Sequence, residues 1–239
     1  MQSRAVLIAS ATIALFASGC SSSSSGVSGG YSGTVTDQSG GSGAMALTLV
    51  QKGSQVRGRW VTRTATSANA GNLTGSVGGN TITATLATDI TNVCALTLNG
   101  TIAGSSIAGT YASPNCPTAN SGSFSLQAAQ SPANIAGSYS GTLTDSLAGG
   151  GSLSMSLTQN GIQLGGTYSS TYSNAAFNKI GPVYGFVSNS QVTIIGTPNP
   201  SNTCPFFGVG TLSGTTISGT YQAFQCSKSN TGTFTLTHQ

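Results

Sequence analysis

Apolar and polar side chains alternate with a period of two along most of this chain. In one representative stretch, threonines alternate with Ile82, Ala84 and Leu86. Such alternation is typical of β-strands that bury one face and leave the other in water. Glycine-containing turns separate the alternating stretches, and Gly-Gly-Asn at 78–80 favours a tight hairpin. The pattern predicts eight antiparallel strands between residues 30 and 127.

The same pattern occurs a second time about 110 residues further along. The segment from Tyr31 to Asp37 matches the segment from Tyr139 to Asp145, and later positions match with an offset of 110. A repeat of this length indicates a tandem duplication of one small β-domain. We therefore predict a signal peptide at 1–19, a Ser/Gly-rich tether at 20–29, a first barrel at 30–127, a linker at 128–136 and a second barrel at 137–239.

Each repeat offers eight strands with one apolar face, and closing such a meander into a barrel removes its exposed edges. The predicted fold is all-β, with two tandem antiparallel eight-stranded up-and-down barrels; β-sandwiches are the alternative. The longer connections of the first repeat follow its strands 1, 3, 5 and 7, at about 38–43, 61–71, 87–93 and 112–121. In an up-and-down barrel these four loops share one rim.

One aspartate and two aromatic residues of each repeat lie at the ends of strands that run toward this rim. They keep the alternating register of the inward apolar residues, so we expect their side chains to point into the barrel. They are Asp37, Trp60 and Tyr111 in the first copy, and Asp145, Tyr168 and Tyr221 in the second. One interpretation is a ligand site, where the aspartate holds a polar or cationic group and the apolar part of the ligand enters the barrel. The other is structural: the aspartate bonds backbone amides of a glycine-rich turn, and the rings plug the barrel.

The outward positions of strands 4, 5 and 6 differ between the copies. The first repeat has Thr74, Ser76, Thr85 and Thr97 where the second has Tyr184, Phe186, Ile195 and Phe207. A contiguous apolar surface usually marks an interface, so we predict contact with repeat 1, self-association or a protein partner. The first repeat instead carries a basic strip of Lys52, Arg57, Arg59 and Arg63. This strip either touches an anionic lipid or polymer or keeps its strand soluble.

The first twenty residues have the features of a targeting segment. Arg4 supplies a positive charge, and the apolar run at 5–17 is shorter than the about 20 residues of a membrane span. The segment ends Ala-Ser-Gly-Cys at 17–20, which resembles the lipobox of bacterial lipoproteins, with alanine where that family usually has leucine. The resemblance implies cleavage before Cys20, acylation of its thiol and membrane anchoring in the cell envelope. Ser21 at the next position implies the outer membrane.

Four cysteines remain once Cys20 is assigned to the anchor, two in each repeat. Four cysteines allow three pairings, and the duplication favours Cys94 with Cys116 and Cys204 with Cys226. The register of the last hairpin of each repeat places its two cysteines almost opposite each other. An oxidising compartment permits both disulfides.

The strand pattern also resembles that of eight-stranded calycin-type barrels, the lipocalins and avidins. Those barrels often begin near a Gly-x-Trp motif, and the repeats begin Gly-Gly-Tyr at 29–31 and Gly-Ser-Tyr at 137–139. Avidins stack biotin between several tryptophans, whereas this chain has one Trp, so biotin binding does not carry over. The resemblance implies a fold and no particular function.

Composition narrows the possible functions. Charged residues make up 4% of the chain, with three acidic residues, all Asp, and one His. Acid–base pairs, catalytic triads and metal clusters need more Asp, Glu and His side chains than this chain contains. We therefore predict a protein that is not an enzyme and holds no metal or cofactor. A net charge of +4 is too small to suggest nucleic-acid binding.

Two functions remain open. The first is a non-enzymatic, lipid-anchored envelope protein that is structural or binds a partner. The second is a carrier of a small apolar ligand, with one pocket per barrel. A threonine-lined face that binds ice or glycans, at Thr81, Thr83 and Thr85, is a further alternative. An open cavity at the long-loop rim favours the carrier, and a filled interior favours the first function.

Overall fold

The computed structural model describes residues 26–90, 93–129, 132–199, 204–224, 226 and 230–239. The predicted signal peptide and Cys20 lie outside these ranges, so cleavage and acylation stay predictions. The described chain is almost entirely β-strand and forms two closed antiparallel barrels of eight strands each. The predicted fold class is confirmed, and the β-sandwich alternative is wrong.

The strands follow one another around each barrel in chain order. The first barrel consists of β1 (Gly29–Asp37), β2 (Gly41–Lys52), β3 (Gln55–Arg63), β4 (Ala68–Gly78), β5 (Thr81–Leu86), β6 (Leu96–Ala103), β7 (Ser106–Ala112) and β8 (Ser121–Ala128). The second consists of β9 (Gly137–Asp145), β10 (Gly149–Asn160), β11 (Gln163–Tyr172), β12 (Lys179–Ser188), β13 (Gln191–Gly196), β14 (Phe206–Ser213), β15 (Thr216–Ala223) and β16 (Thr231–His238). A short 3-10 turn, η1 (Ala175–Phe177), precedes β12. The described residues include no helix that is long and apolar enough to cross a membrane.

Short turns join the strands at one end of each barrel, and the longer loops lie at the other. Gly79 and Gly104 occupy two of the short turns with φ of 58° and 60°, a left-handed conformation that glycine adopts without steric cost. Two predicted long loops are shorter than expected, because the β1–β2 pairing continues to Asp37 opposite Gly41 and the β3–β4 pairing continues to residue 63. Backbone ladders need only N–H and C=O groups, so weak side-chain alternation does not mark where they stop.

Each barrel encloses its own apolar core. The inward residues of the first barrel, among them Met45, Leu47 and Trp60, form one buried cluster, and their counterparts in the second barrel form another. Inward glycines let neighbouring strands approach closely. A Cβ on Gly58 would lie 1.6 Å from the backbone oxygen of Thr48, so this position has no room for a larger residue.

Both predicted disulfides are confirmed. Cys94 is bonded to Cys116 with a Cα–Cα distance of 5.8 Å, and Cys204 is bonded to Cys226 with a distance of 4.6 Å. Each bond joins the loop before the sixth strand of its barrel to the loop after the seventh. The disulfides therefore cross-link two long loops on the same rim, and each stays within one repeat.

Candidate functional site

The aspartate that ends β1 fastens two rim loops of the first barrel together. One oxygen of Asp37 accepts hydrogen bonds from the backbone amides of Ser39 and Gly40, at 2.9 and 2.6 Å. The other accepts from the Tyr111 hydroxyl and, at 2.8 Å, from the Asn120 side-chain amide. The carboxylate thus caps the β1–β2 turn, as in the structural interpretation, and also ties this turn to the β7–β8 loop.

The second barrel repeats this arrangement. One oxygen of Asp145 accepts from the backbone amides of Leu147 and Ala148, at 2.8 and 2.9 Å. The other accepts from the Tyr221 hydroxyl and from the Asn230 side-chain amide. The duplication has therefore preserved, at the same rim, a carboxylate that accepts from two backbone amides, a tyrosine hydroxyl and an asparagine amide.

The surroundings keep this carboxylate ionised. Burial acts to raise the pKa of Asp145, but hydrogen bonds from Tyr221, from two backbone amides and from Asn230 outweigh burial and lower the pKa below its usual range. The pKa of Asp37 is lowered in the same way: burial acts to raise it, but hydrogen bonds from Tyr111, Ser39, Gly40 and Asn120 outweigh burial. Burial, followed by the hydrogen bond to Asp145, raises the pKa of Tyr221, so its hydroxyl remains a donor. Each barrel carries a fixed negative charge at the long-loop rim.

The second barrel is hollow at this rim. A cavity of about 610 Å³ is lined by residues from all four long loops, and its volume lies within the roughly 300–1,000 Å³ of small-molecule sites. The apolar part of its wall includes Leu143, Leu153, Met155, Ile194, Phe206 and Phe234. Asp145, Tyr168 and Tyr221 also line it. The structure thus brings the three candidate rim residues of the second repeat to one cavity.

Two buried polar atoms of the cavity wall lack a hydrogen-bond partner among the residues that the structure describes. They are the hydroxyl of Tyr168 and the Oδ1 atom of Asn230. Tyr168 is only 4% exposed and packs edge-on against Phe206, with ring centroids 4.8 Å apart. An unsatisfied buried polar group costs about 1–3 kcal/mol. Both atoms have almost no accessible surface, so they lie behind the wall of the cavity rather than open to it.

The first barrel carries larger side chains at several corresponding interior positions. Three positions lose volume in the second copy: Trp60 becomes Tyr168, Leu86 becomes Gly196, and Leu98 becomes Gly208. Trp60 is buried in the first core and donates its indole N–H to the Ala87 carbonyl at 2.8 Å. Its side chain therefore occupies the interior as a barrel plug, the second interpretation of this residue.

The outer apolar face of the second barrel packs against the first barrel. The aromatic patch, defined as Tyr184, Phe186, Ile195 and Phe207, has three members in a buried cluster with Ala46, Val61, Ala68 and Ala70 of the first barrel. The fourth member, Tyr184, lies under the Arg59 guanidinium at 4.2 Å, and Arg63 lies over Phe207 at 4.9 Å. Arg59 also pairs with Asp89. Two residues of the basic strip are therefore used in the contact between barrels.

Sequence reasoning missed several partners of these sites, although comparing the two copies reveals them. Asn120 recurs as Asn230 at the offset of 110, which marks the amide beside each aspartate. Outward apolar residues of the first copy also stand where the second copy has serine: Ala46 against Ser154, and Val61 against Ser169. A difference of this kind predicts the surface on which the aromatic patch docks.

No group of three or more His, Cys, Asp or Glu side chains within the described ranges is arranged to hold a metal ion. The chemistry that the described residues offer at the rim of the second barrel is hydrogen bonding, aromatic contact, the carboxylate charge of Asp145 and the ammonium charge of Lys179. The fold and the cavity define the protein as a tandem pair of eight-stranded barrels with a ligand-sized space in the second.

No protein-family model matches the sequence, and no curated protein matches it. Among solved structures, the chain is similar to a protein of unknown function of the DUF3598 family from Nostoc punctiforme, with 9% identity over 89% of this chain and 96% of that chain and a TM-score of 0.32. It is also similar to isotype 1 transferrin binding protein B from serogroup B Neisseria meningitidis, with 10% identity over 88% of this chain and 76% of that chain and a TM-score of 0.32. We draw no functional conclusion from likenesses this distant.

Proposed function

We propose that this protein is a lipid-anchored envelope protein that binds a small, largely apolar molecule inside its second barrel. The cavity of about 610 Å³ at the long-loop rim carries this proposal. Its wall combines apolar side chains with a few convergent polar groups, which is the usual composition of a small-molecule site. The first barrel serves as a scaffold on which the binding barrel is docked.

The proposed location rests on the N-terminal segment and on the cysteines. The lipobox-like ending at Cys20 supports an acyl anchor, and Ser21 supports the outer membrane. Disulfides form and persist in oxidising compartments, so the two bonds within the barrels agree with export from the cytoplasm.

The partners of the three aspartates support a binding role without catalysis. Asp37 and Asp145 each accept backbone and side-chain hydrogen bonds at a turn, and Asp89 pairs with Arg59. A general base needs a carboxylate that can reach and take a proton from a substrate. All three aspartates of the chain already have structural partners, so we propose a carrier or receptor rather than an enzyme.

The proposal modifies the two functions that the sequence left open. We propose one pocket rather than one per barrel, because the first barrel carries larger residues at interior positions such as Trp60 and Leu86. The aromatic patch packs on the first barrel, so we do not propose it as the docking surface for a separate protein or for self-association.

A matched pair of substitutions tests the proposal. Leu153 lines the cavity of the second barrel, and Met45 is its counterpart in the first core. We expect Leu153→Trp to fill the cavity with little loss of stability, whereas Met45→Trp should destabilise the protein by about 1–3 kcal/mol through overpacking. The full-length protein in detergent is titrated with the neutral fluorescent dye N-phenyl-1-naphthylamine, and thermal unfolding is followed in parallel.

The expected result is saturable dye binding, with one site, to the wild type and to folded Met45→Trp. Leu153→Trp should show only the background of dye dissolved in the micelles. If the wild type shows no more than this background, or if Leu153→Trp binds the dye as the wild type does, the second barrel is not a ligand site and the proposal is wrong.

A further inference from the structure

We infer that the ligand is an organic cation, a protonated amine or quaternary ammonium group joined to an apolar body. This inference rests on the proposed function and adds the chemical class of the molecule. Two observations carry it: a carboxylate in the cavity wall that pairs with no basic side chain of the described residues, and a set of aromatic rings around the same space.

The first observation concerns charge. The four groups that bond Asp145 are neutral: two backbone amides, a hydroxyl and a side-chain amide. They orient the carboxylate, and none of the described basic side chains forms an ion pair with it. Lys179 is the basic residue in the cavity lining, but its side chain is exposed at the start of β12, and the described residues show no ion pair between it and Asp145. The interior of the cavity therefore favours a positive group.

The second observation concerns the aromatic rings. Six of them line the cavity: Tyr168, Tyr172, Phe177, Phe206, Tyr221 and Phe234. Neighbouring rings stand nearly perpendicular, at 85° between Tyr168 and Phe206 and 72° between Phe206 and Tyr221. Rings in this arrangement present both faces and edges to the space between them. Aromatic faces attract cations, and cages of rings are a known means of binding alkylated ammonium groups.

The two copies provide an internal comparison. The aspartate, its tyrosine and its asparagine occur in both barrels, but the extra rings belong to the hollow barrel. Tyr172 stands where the first copy has Thr64, and Phe206 stands where it has Leu96. The second copy has thus gained aromatic surface around a carboxylate that the duplication already contained, at the place where its interior opens.

The charge also argues against the opposite ligand class. An anionic head group in this cavity would face the Asp145 carboxylate, which would repel it.

Three competitors with a common apolar body test the ligand class. Phenethylamine is a cation at pH 7, 2-phenylethanol is its neutral analogue, and 3-phenylpropanoate is an anion of similar size. Each is titrated against the full-length protein that has bound N-phenyl-1-naphthylamine. We expect the amine to displace the dye at a concentration at least tenfold lower than the alcohol does, and the anion to be the weakest competitor.

Substitutions then locate the source of the preference. Asp145→Asn should lower the ratio of amine affinity to alcohol affinity from at least tenfold to about one, whatever its effect on the affinity of the alcohol. Asp37→Asn makes the same change at the equivalent turn of the first barrel and should leave the tenfold preference intact. Tyr172→Thr restores the residue of the first copy without touching Asp145, and it should also reduce the preference, so the test does not depend on one variant folding.

The outcomes separate the two proposals. Failure of the dye to bind above background refutes the proposed function itself. Dye binding with an alcohol or anion that competes as well as the amine refutes the cation and leaves a neutral or anionic ligand. A preference for the amine that survives Asp145→Asn or Tyr172→Thr refutes the role of this carboxylate and these rings.

Discussion

Replacing Phe186 and Phe207 with threonine should undock the barrels while leaving each barrel folded. Both side chains point out of the second barrel and lie in the buried cluster that it shares with Ala46 and Val61 of the first. The first copy has Ser76 and Thr97 at these positions, which shows that an eight-stranded barrel of this type folds with small polar residues there.

The size of the effect follows from the burial of the two rings. Full burial of a phenylalanine side chain is worth about 1.5–3 kcal/mol, so the double change removes about 3–6 kcal/mol from the contact between barrels. Loss of the Arg63 contact with Phe207 adds up to about 1–2 kcal/mol. Since about 1.4 kcal/mol corresponds to a factor of ten, the ratio of docked to undocked molecules should fall at least about a hundredfold. The barrels are covalently joined between β8 and β9, so the variant remains one chain that samples both states.

Two measurements check this on the full-length protein. Hydrogen exchange followed by mass spectrometry should show faster exchange where β2–β4 of the first barrel and β12–β14 of the second face each other. Trp60 is the single tryptophan, so its fluorescence reports urea unfolding of the first barrel alone. Ile180→Thr is the control, because this residue is 60% exposed on the same strand as Phe186, and its replacement should change stability by less than about 0.5 kcal/mol.

The refuting result is a second barrel that unfolds throughout. If β9, β15 and β16 of the double variant exchange as freely as β12 does, the two rings support the core of the second barrel rather than its docked face. The strand parity would then be wrong, and with it the inward positions of Asp145, Tyr168 and Tyr221.

Two further predictions concern the anchor and the rim aspartates. Mass spectrometry of the membrane fraction should identify diacylglyceryl Cys20 as the mature N-terminus, and Cys20→Ser should abolish the anchor; a soluble wild-type product cleaved elsewhere contradicts the lipobox. Folding lowers the pKa of Asp37 and Asp145, so their stabilisation is present above the unfolded pKa of about 3.9 and is lost as the pH falls through that value toward the folded pKa. Urea midpoints should therefore be steady from pH 7 to about 5 and fall in more acidic buffer. The double Asp→Asn variant should be less stable than the wild type at pH 7, and its urea midpoint should fall less as the buffer is made acidic. If the midpoints of the two proteins fall equally with pH, these carboxylates do not have the proposed role.

Much of the fold could be predicted from the sequence, because one-sided burial imposes a period of two on each strand. The duplication then supported the same number of strands in each copy and favoured one disulfide within each copy. Strand ends were less predictable: β2 begins at Gly41 and β4 at Ala68, in segments whose small residues give no clear alternation. Backbone pairing continues through such residues without a signal from their side chains.

The candidate site was partly predictable for a different reason. Parity placed Asp145 and Tyr221 at the rim, where they line the cavity. Whether a barrel is hollow depends on the sum of side-chain volumes from many strands. The second copy loses volume at Gly196 and Gly208 but gains it at Ile194 and Phe206, so no single position decides between a plug and a pocket.

The second copy has smaller side chains at several interior positions and larger ones on its outer face. This combination has a consequence for how such a protein evolves. A binding protein made of one barrel must use the same interior both to stabilise its fold and to bind its ligand. A change that improves binding then tends to reduce stability. In this chain Trp60 lies in the buried core of the first copy, whereas Tyr168 of the second copy lines an open cavity, and the aromatic patch of that copy packs against the first barrel. Under the proposed function, selection can change the interior of the second barrel with less risk to folding, because part of the stability of that barrel comes from an outer surface that lies outside the cavity.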